Sequence, residues 1–253
     1  MRLTVLGCSG SVPGPDSPAS GYLLQADGVS VAFDLGNGTL GALQRVLDPF
    51  DLDALVLSHL HPDHCADVPS LVVYRRHHPE PPHRRRLPLH APTEAPTRLA
   101  AASATSAAEL ATTDLFDVFD FRPLGPRTIH IGGFEIAAAG VEHPCESYAL
   151  RVSHGGRCLV YTGDTGPCAL LAEFAAGTDL LLAEASWLHD EHKPLGLHLS
   201  GRQAGELAAA AGAYRLLLTH IPPWTDARAI HDEACSAYDG PVELVRAGAD
   251  YDV

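Results

Sequence analysis

The sequence predicts a fold of the α/β (α+β) class, in which two packed β-sheets carry helices on their outer faces. The chain has 253 residues, of which 46% are hydrophobic and 19% charged, and this is enough for one large domain. Strand patterns precede helix patterns in each half, and no low-complexity linker separates the halves. We therefore expect a single domain over residues 1–253, built from two αβ halves at roughly 1–126 and 127–253.

The first half shows short apolar runs that alternate with turns and helical patterns. Asp27-Gly28 lies between two β patterns and indicates a hairpin. The predicted strands are 3–6, 21–26, 29–33, 54–57 and 87–90. The predicted helices are 39–47, 62–78 and an alanine-rich segment at 93–110, and residues 112–126 are predicted to be a connector.

The second half begins with hairpins. Gly132-Gly133 indicates one tight turn, and Gly155-Gly156 indicates another. The predicted strands are 128–131, 134–139, 147–152, 157–161, 179–183, 215–218 and 242–245. The predicted helices are 200–211 and 227–238.

Composition limits the possible partners and locations. The formal net charge of −14 argues against a general nucleic-acid-binding protein, although a bound cation can reverse the local field for a small anion. The six cysteines contain no CxxC pair, which favours reduced thiols. The first apolar run is too short for a signal peptide, and no segment approaches the length of a membrane span. We expect a cytoplasmic protein with no membrane partner.

A dense group of potential metal ligands follows the predicted strand 54–57. His59 and His61 lie on the loop after this strand, while Asp63 and His64 open the next helix behind Pro62. Three imidazoles and a carboxylate within six residues indicate a metal site rather than an ordinary polar loop.

Further histidine and aspartate residues follow other predicted strands. His143, Asp164 and His220 each lie just after a strand, where loops held by a rigid sheet often carry ligands. One histidine after a strand is usually structural or solvated, but the repetition at several strand ends indicates a common site. The only basic region, residues 75–86, is more typical of a solvated loop than of a phosphate-steering patch.

These motifs resemble those of the metallo-β-lactamase superfamily, and within it the ribonuclease Z-like branch. The matching segments are His59-x-His61-x-Asp63-His64, His143, Tyr161-Thr162-Gly163-Asp164-Thr165, His198-Leu199-Ser200 and Leu217-Leu218-Thr219-His220. The resemblance covers nearly the whole chain. It implies a four-layer αββα sandwich with the metal site at one edge of the sheets.

The resemblance also implies a dinuclear site. By motif, one metal ion would be held by His59, His61 and His143, the other by Asp63, His64 and His220, and Asp164 would bridge them. Zinc suits these donors best, although manganese or iron is compatible with them. Two such ions would lower the pKa of a bound water so that hydroxide is available, and Asp63 could orient this hydroxide or accept the proton that the water loses.

Other residues are assigned roles around this site. In the phosphodiesterase branch, the histidine that matches His198 contacts the phosphate and protonates the leaving oxygen. Glu184 could orient His198, or it could be a structural carboxylate. Asp34 could cap the following helix or brace the metal loop.

The sequence also offers candidate substrate-binding residues. Ser9 lies in a Gly-Ser turn, which could offer N–H groups to an anion but is more often an ordinary turn. Ser200 belongs to the His-x-Ser motif. Trp187 and Trp224 could each stack on a base, although packing under a loop is the better expectation for each separately.

The resemblance points to phosphodiester hydrolysis. Only twenty residues separate His143 from Asp164, so the long arm typical of tRNA-cutting ribonuclease Z enzymes is missing. The stretches 6–12, 184–187 and 219–224 resemble those of small ribonuclease Z-like phosphodiesterases that hydrolyse cyclic AMP. The resemblance therefore implies a phosphodiesterase for a small anionic substrate, with 3′,5′-cyclic AMP or a related cyclic nucleotide first. The alternative is a ribonuclease Z-like endonuclease acting on tRNA 3′ ends. A thioester or lactone hydrolase and a catalytically silent metal-binding protein are weaker alternatives. A homodimer is possible.

Overall fold

Fourteen strands form two seven-stranded sheets in the computed structural model, which describes residues 1–253. The first sheet contains β1 (Arg2–Gly7), β2 (Gly21–Ala26), β3 (Val29–Phe33), β4 (Ala54–Val56), β5 (Leu87–Ala91), β6 (Phe119–Pro123) and β14 (Asp250–Asp252). Its strand order is β14-β1-β2-β3-β4-β5-β6. The last strand of the chain therefore returns to the first sheet, which the division into halves at about residue 126 does not anticipate.

The second sheet repeats the pattern of the first. It contains β7 (Ile129–Ile131), β8 (Phe134–Gly140), β9 (Tyr148–His154), β10 (Arg157–Tyr161), β11 (Leu180–Glu184), β12 (Leu216–Thr219) and β13 (Val242–Leu244), in the order β13-β12-β11-β10-β9-β8-β7. In each sheet three antiparallel pairings are followed by three parallel ones. In this pattern β3 corresponds to β10, and β4 corresponds to β11.

The helices cover the outer faces of both sheets. They are α1 (Thr39–Leu43), α2 (Pro62–Cys65), α3 (Val68–His77), α4 (Ala95–Ser103), α5 (Ala107–Leu110), α6 (Ala169–Phe174), α7 (Gly201–Ala211) and α8 (Ala227–Ala237). One apolar core lies between the sheets and includes Phe33 and Tyr161. Two further cores join each sheet to its own helices. The predicted αββα sandwich is confirmed.

Several elements differ from the sequence prediction. The single helix predicted at 93–110 is wrong, because Thr105 and Ser106 interrupt it and the Ser106 side chain caps α5 by accepting the Glu109 N–H. The connector at 112–126 contains β6, and helix α6 and strand β14 were not predicted. All three are short, and β14 is held by its pairing with β1 rather than by an apolar pattern of its own.

The basic region at 75–86 is mainly engaged with the protein itself. The Arg75 guanidinium is buried over the Phe50 ring and donates to the Pro49 carbonyl. Arg76 pairs with both carboxylate oxygens of Asp117. These contacts fix the start of the region to its neighbours, while Arg84, Arg85 and Arg86 remain exposed, as expected of a solvated loop.

Two simple results concern the helices and the cysteines. No helix is long and apolar enough to cross a membrane. All six cysteines are free thiols.

Candidate metal centre

Three histidine side chains converge at the edge of the sheets. His61 Nδ1 lies 3.1 Å from His59 Nε2 and 3.1 Å from His143 Nε2. Nitrogen ligands about 2.0–2.1 Å from a tetrahedral zinc ion lie about 3.3 Å from one another. Together with Asp164, these three nitrogens form a group that could hold one metal ion.

A second group lies beside the first. His220 Nε2 is 3.0 Å from Asp63 Oδ2, and His64 Nε2 is 3.2 Å from Asp164 Oδ1. Asp164 belongs to both groups, since its Oδ2 lies 3.7 Å from His59 Nε2 and 3.3 Å from His220 Nε2. The structure therefore brings together all seven residues predicted as metal ligands.

Two atoms of this cluster test whether a metal ion fits. His64 Nε2 and Asp164 Oδ1 are buried and have no hydrogen-bond partner in the protein. Buried polar atoms are nearly always satisfied, and an orphaned pair at 3.2 Å fits a shared cation. The His and Asp cluster is thus able to bind metal.

The protonation states of three ligands suit metal binding, whereas in His64 burial is outweighed by Asp164 and Asp34, which raise the pKa of this imidazole, whose proton a bound cation would displace. Burial lowers the pKa of His59 well below its ordinary value, and it lowers the pKa of His143 to about 4. Both imidazoles are therefore neutral near pH 7 and keep a free lone pair. Burial raises the pKa of Asp164, but the neighbouring His220 and His64 outweigh it and hold this pKa well below its usual value. The Asp164 carboxylate, which belongs to both ligand groups, is therefore charged.

The backbone is strained at two positions of the site. Asp34 and His220 both have φ 57°, a left-handed conformation that is uncommon for residues other than glycine. Each follows a strand, β3 and β12 respectively, and the conformation is stabilised by the surrounding packing. A Cβ at Gly10 would lie 2.3 Å from the His220 carbonyl oxygen, so only glycine permits this approach.

Asp34 lies beneath the metal loop. Its Oδ2 accepts hydrogen bonds from His64 Nδ1 at 2.7 Å and from the Tyr161 hydroxyl at 2.8 Å. Its carboxylate also accepts from the N–H and the hydroxyl of Ser58. Gly38, not Asp34, is the N-cap residue of α1. Of the two roles open from the sequence, the contacts fit bracing of the metal loop.

Glu184 is completely buried and holds His198. Its Oε1 accepts from His198 Nδ1 at 2.9 Å and from the Thr165 N–H at 2.9 Å. Burial lowers the pKa of His198, but the charge and hydrogen bond of Glu184 outweigh it and raise the pKa to about 9. His198 is therefore a cation near pH 7, and its Nε2 has no partner in the protein. Its ring centroid lies 5.7 Å from that of His143 and 5.4 Å from that of His220.

The Gly-Ser turn after β1 contacts the site in an unexpected way. The Ser11 N–H donates to Asp63 Oδ2 at 2.8 Å, so the anion that this turn holds is the carboxylate of Asp63. Ser9 is buried, its hydroxyl donates to the Val12 carbonyl and its N–H to the Pro18 carbonyl. Ser9 therefore shapes the turn, and the structure leaves it no free group for a substrate.

Ser200 also has a structural role. Its hydroxyl accepts the N–H of Gln203, and the Gln203 side chain accepts the Ser200 N–H, which together form a capping box at the start of α7. The residue is 1% exposed. The substrate-binding role predicted for Ser200 is not supported, because its polar groups are engaged by the helix and by His189.

The two tryptophans line a cavity beside His198. Its volume is about 620 Å³, which is in the range typical of small-ligand sites. Trp187 is half-buried with its ring edge-on to His198 at 5.2 Å, whereas Trp224 is 69% exposed. The Nζ of Lys193, the only lysine of the chain, lies 5.3 Å from the centre of the Trp187 ring.

Sequence reasoning missed several residues that support the ligands. Ser11, Ser58 and Ser186 contact Asp63, His59 and His220 respectively, and the Leu197 carbonyl accepts from His143 Nδ1. Ser58 and Ser186 each stand two residues beyond the end of a site strand, which is a usable signal. Ser11 and Leu197 act through the backbone, and side-chain identity carries no signal for them.

Comparison with known proteins places the chain in a family. Residues 17–221 match the family described as Beta-lactamase superfamily domain. An uncharacterized protein of Mycobacterium tuberculosis, Rv1339, is 50% identical over 97% of this chain and 89% of its own length. The ribonuclease Z of Haloarcula marismortui is 30% identical over 98% of this chain and 95% of its own length.

A solved structure shows the same architecture. The probable metallo-hydrolase YhfI of Bacillus subtilis is 30% identical over 98% of each chain. Its crystal structure, titled as that of a metallo-beta-lactamase fold protein, superposes with a TM-score of 0.86 over 99% of each chain, at 28% sequence identity. The chain described here belongs to the beta-lactamase superfamily of metallo-hydrolases, as its motifs predicted.

Proposed function

We propose that this protein is a dinuclear metal-dependent phosphodiesterase that hydrolyses a cyclic nucleoside monophosphate, with 3′,5′-cyclic AMP as the first candidate. The observation that carries the proposal is His198, which lies beside both ligand groups and is held as a cation by the buried Glu184. A cationic imidazole next to a metal centre is suited to contact a phosphate and to protonate a leaving alkoxide.

The residues that would hold the metal ions are those that converge in the structure. His59, His61 and His143 would hold one ion, Asp63, His64 and His220 the other, and Asp164 both. Zinc is the proposed metal because imidazole and carboxylate donors at these spacings suit it. Two bound divalent ions would supply a water of lowered pKa as the nucleophile and would neutralise the charge of the phosphate.

The protein side chains divide the proton transfers between them. Asp63, held by the Ser11 N–H, would orient the attacking water and accept its proton. As the new P–O bond forms and the bond to the ribose O3′ breaks, His198 would donate its proton to that oxygen. Glu184 stabilises the cationic imidazole before this step and orients it through Nδ1. The product is the open nucleoside monophosphate.

The surroundings favour a small substrate. The twenty residues between His143 and Asp164 are occupied by β9, β10 and their tight turn, which leave no room for a long arm. The cavity beside His198 is lined by Trp187 and Trp224, on either of which a base could stack. The net charge of −14 disfavours a long polyanion such as tRNA.

A ribonuclease Z-like endonuclease is the second candidate, because the Haloarcula relative with that name is similar over nearly its whole length. Zinc-loaded protein should be incubated with cyclic AMP and, separately, with precursor tRNA, and the products followed by chromatography. Formation of AMP is the expected result. Cleavage of the tRNA 3′ end without turnover of cyclic AMP would replace the proposal with the second candidate, and turnover of thioesters or lactones alone would exclude both.

A further inference from the structure

Two serines connect a candidate ligand histidine to a buried carboxylate, one in each sheet. After β4, Ser58 Oγ lies 3.1 Å from His59 Nδ1 and donates to Asp34 Oδ2 at 2.8 Å. After β11, Ser186 Oγ lies 2.9 Å from His220 Nδ1 and donates to Glu184 Oε2 at 2.8 Å. Both serines are almost fully buried, with exposures of 0% and 4%.

The hydrogen-bond capacity of each serine fixes the direction of these contacts. A hydroxyl has one hydrogen to donate and two lone pairs with which to accept. An ionised carboxylate can only accept, so the hydrogen of Ser186 serves Glu184 Oε2 at 2.8 Å, whose only partner it is, and the His220 carbonyl oxygen at 3.1 Å can only share it. The remaining contact to His220 must then be an Nδ1–H that donates to the serine oxygen. Asp34 Oδ2 also accepts from His64 Nδ1 and the Tyr161 hydroxyl, but its 2.8 Å contact with Ser58 Oγ still requires the serine hydrogen between the two oxygens. The contact between His59 Nδ1 and Ser58 Oγ is then an Nδ1–H that donates to the serine.

The tautomer that follows leaves Nε2 as the free nitrogen. In His220 this nitrogen faces Asp63 Oδ2 at 3.0 Å and Asp164 Oδ2 at 3.3 Å. In His59 it faces His61 Nδ1 at 3.1 Å and Asp164 Oδ2 at 3.7 Å. A lone pair aimed at carboxylate oxygens is unfavourable unless a positive charge lies between them. The serines thus hold both imidazoles in the form that a metal ion requires.

We propose that Ser58 and Ser186 are positioning residues for the metal centre, each of which fixes the Nδ1–H tautomer of one ligand, His59 or His220, and so strengthens one of the two metal sites. The inference rests on the proposed metal-dependent function. It goes beyond that function because it assigns each site its own serine. Two other histidine ligands do not need such a residue, since His64 donates directly to Asp34 and His143 to the Leu197 carbonyl.

The contacts of Ser186 also connect the metal site to the proposed acid, His198. Glu184 holds His198 through Oε1 and Ser186 through Oε2. A single buried carboxylate therefore orients both His198 and, through Ser186, His220. Ser58 donates to Asp34, which also holds His64. Loss of either serine should weaken metal binding without removing any ligand.

The test is Zn²⁺ affinity measured by competition with a chromogenic chelator. Removal of a group that orients a metal ligand typically weakens binding by about 10–100-fold. We expect Ser58→Ala and Ser186→Ala each to weaken one of two binding steps by this factor, and Ser186→Thr, which keeps the hydroxyl, to restore most of the affinity. Ser20→Ala is the matched control, because Ser20 is fully buried near the site and its hydroxyl has no partner.

Combined variants assign each serine to its site. In a His220→Ala background, Ser186→Ala should cause no further loss of affinity, whereas Ser58→Ala should weaken the ion that remains. Circular dichroism of the metal-free variants checks that they are folded. If the wild type binds two zinc ions tightly and both serine variants bind them with unchanged affinities, the inference is overturned but the proposed function is not. A wild type that binds fewer than two ions would instead overturn the dinuclear function on which it rests.

Discussion

Replacing Glu184 with glutamine should lower the pH above which the enzyme loses activity. Glu184 lies 2.9 Å from His198 Nδ1 and is completely buried, and it is the main cause that keeps the pKa of His198 near 9 against the effect of burial. A charge pair at about 4 Å contributes about 4 kcal/mol at an effective dielectric constant of 20. Since one pH unit corresponds to about 1.4 kcal/mol, the loss of this charge should lower the midpoint of the high-pH loss of activity by about two to three pH units.

The sign of the effect follows from the role of His198 as the acid. The protonated form is active, so activity is retained below the pKa of His198 and lost as the pH rises through it. In the wild type the loss should occur at high pH, whereas in Glu184→Gln it should begin below neutrality. At pH 8 the variant should be slower by on the order of 10–100-fold, and at pH 6 the difference should be small. Bound cations shift both profiles in the same direction, so the separation between them is the quantity tested.

The assay is kcat/KM for cyclic AMP between pH 5 and pH 10, with bis-p-nitrophenyl phosphate as the control substrate. The p-nitrophenolate group leaves with little need for a proton, so its release should be nearly insensitive to the variant. Metal content should be measured in parallel. Two superimposable profiles for cyclic AMP, or equal losses on both substrates, would refute the role of Glu184 in holding His198 as an acid.

Three further predictions concern the metals, the acid and a helix cap. Protein purified without chelator should contain about two metal ions per chain, and fully active protein with one ion or none by elemental analysis would contradict the dinuclear site. Asp63→Ala should abolish turnover, whereas His198→Ala should lower kcat by on the order of 10²–10⁴ with unchanged metal content; a large loss of metal in His198→Ala would make His198 a ligand. Ser200→Ala should lower the free energy of unfolding by about 1 kcal/mol, seen in urea denaturation, with KM unchanged, because Ser200 caps α7. An increase in KM with stability unchanged would restore the substrate-binding role.

The metal ligands could be predicted from the sequence because their signal is local. His59, His61, Asp63 and His64 lie within six residues, and the strand before them fixes the edge of the sheet at which they must stand. His143, Asp164 and His220 were found because each follows a recognisable apolar strand. The αββα architecture followed from the same strands and from the resemblance.

The groups that support the ligands were harder to predict, because their contacts join distant parts of the chain. Tyr161 reaches Asp34 from the opposite sheet, and Ser11 reaches Asp63 through its backbone. Ser200 was assigned to the substrate because it stands two residues after His198, but its position before a helix decides its role. Short strands such as β14 depend on pairing with distant partners and have little apolar pattern to reveal them.

The return of β14 to the first sheet has a consequence for biosynthesis. Leu3 of β1 pairs with Tyr251, and the Val5 N–H donates to the Ala249 carbonyl, so one edge of β1 obtains its partner only after residues 249–252 have left the ribosome. Until then the nascent first half exposes the backbone N–H and C=O groups of an open strand, which can pair with other chains. We expect slow release of the protein from translating ribosomes to favour aggregation, and chaperones that bind extended segments to act mainly during this interval.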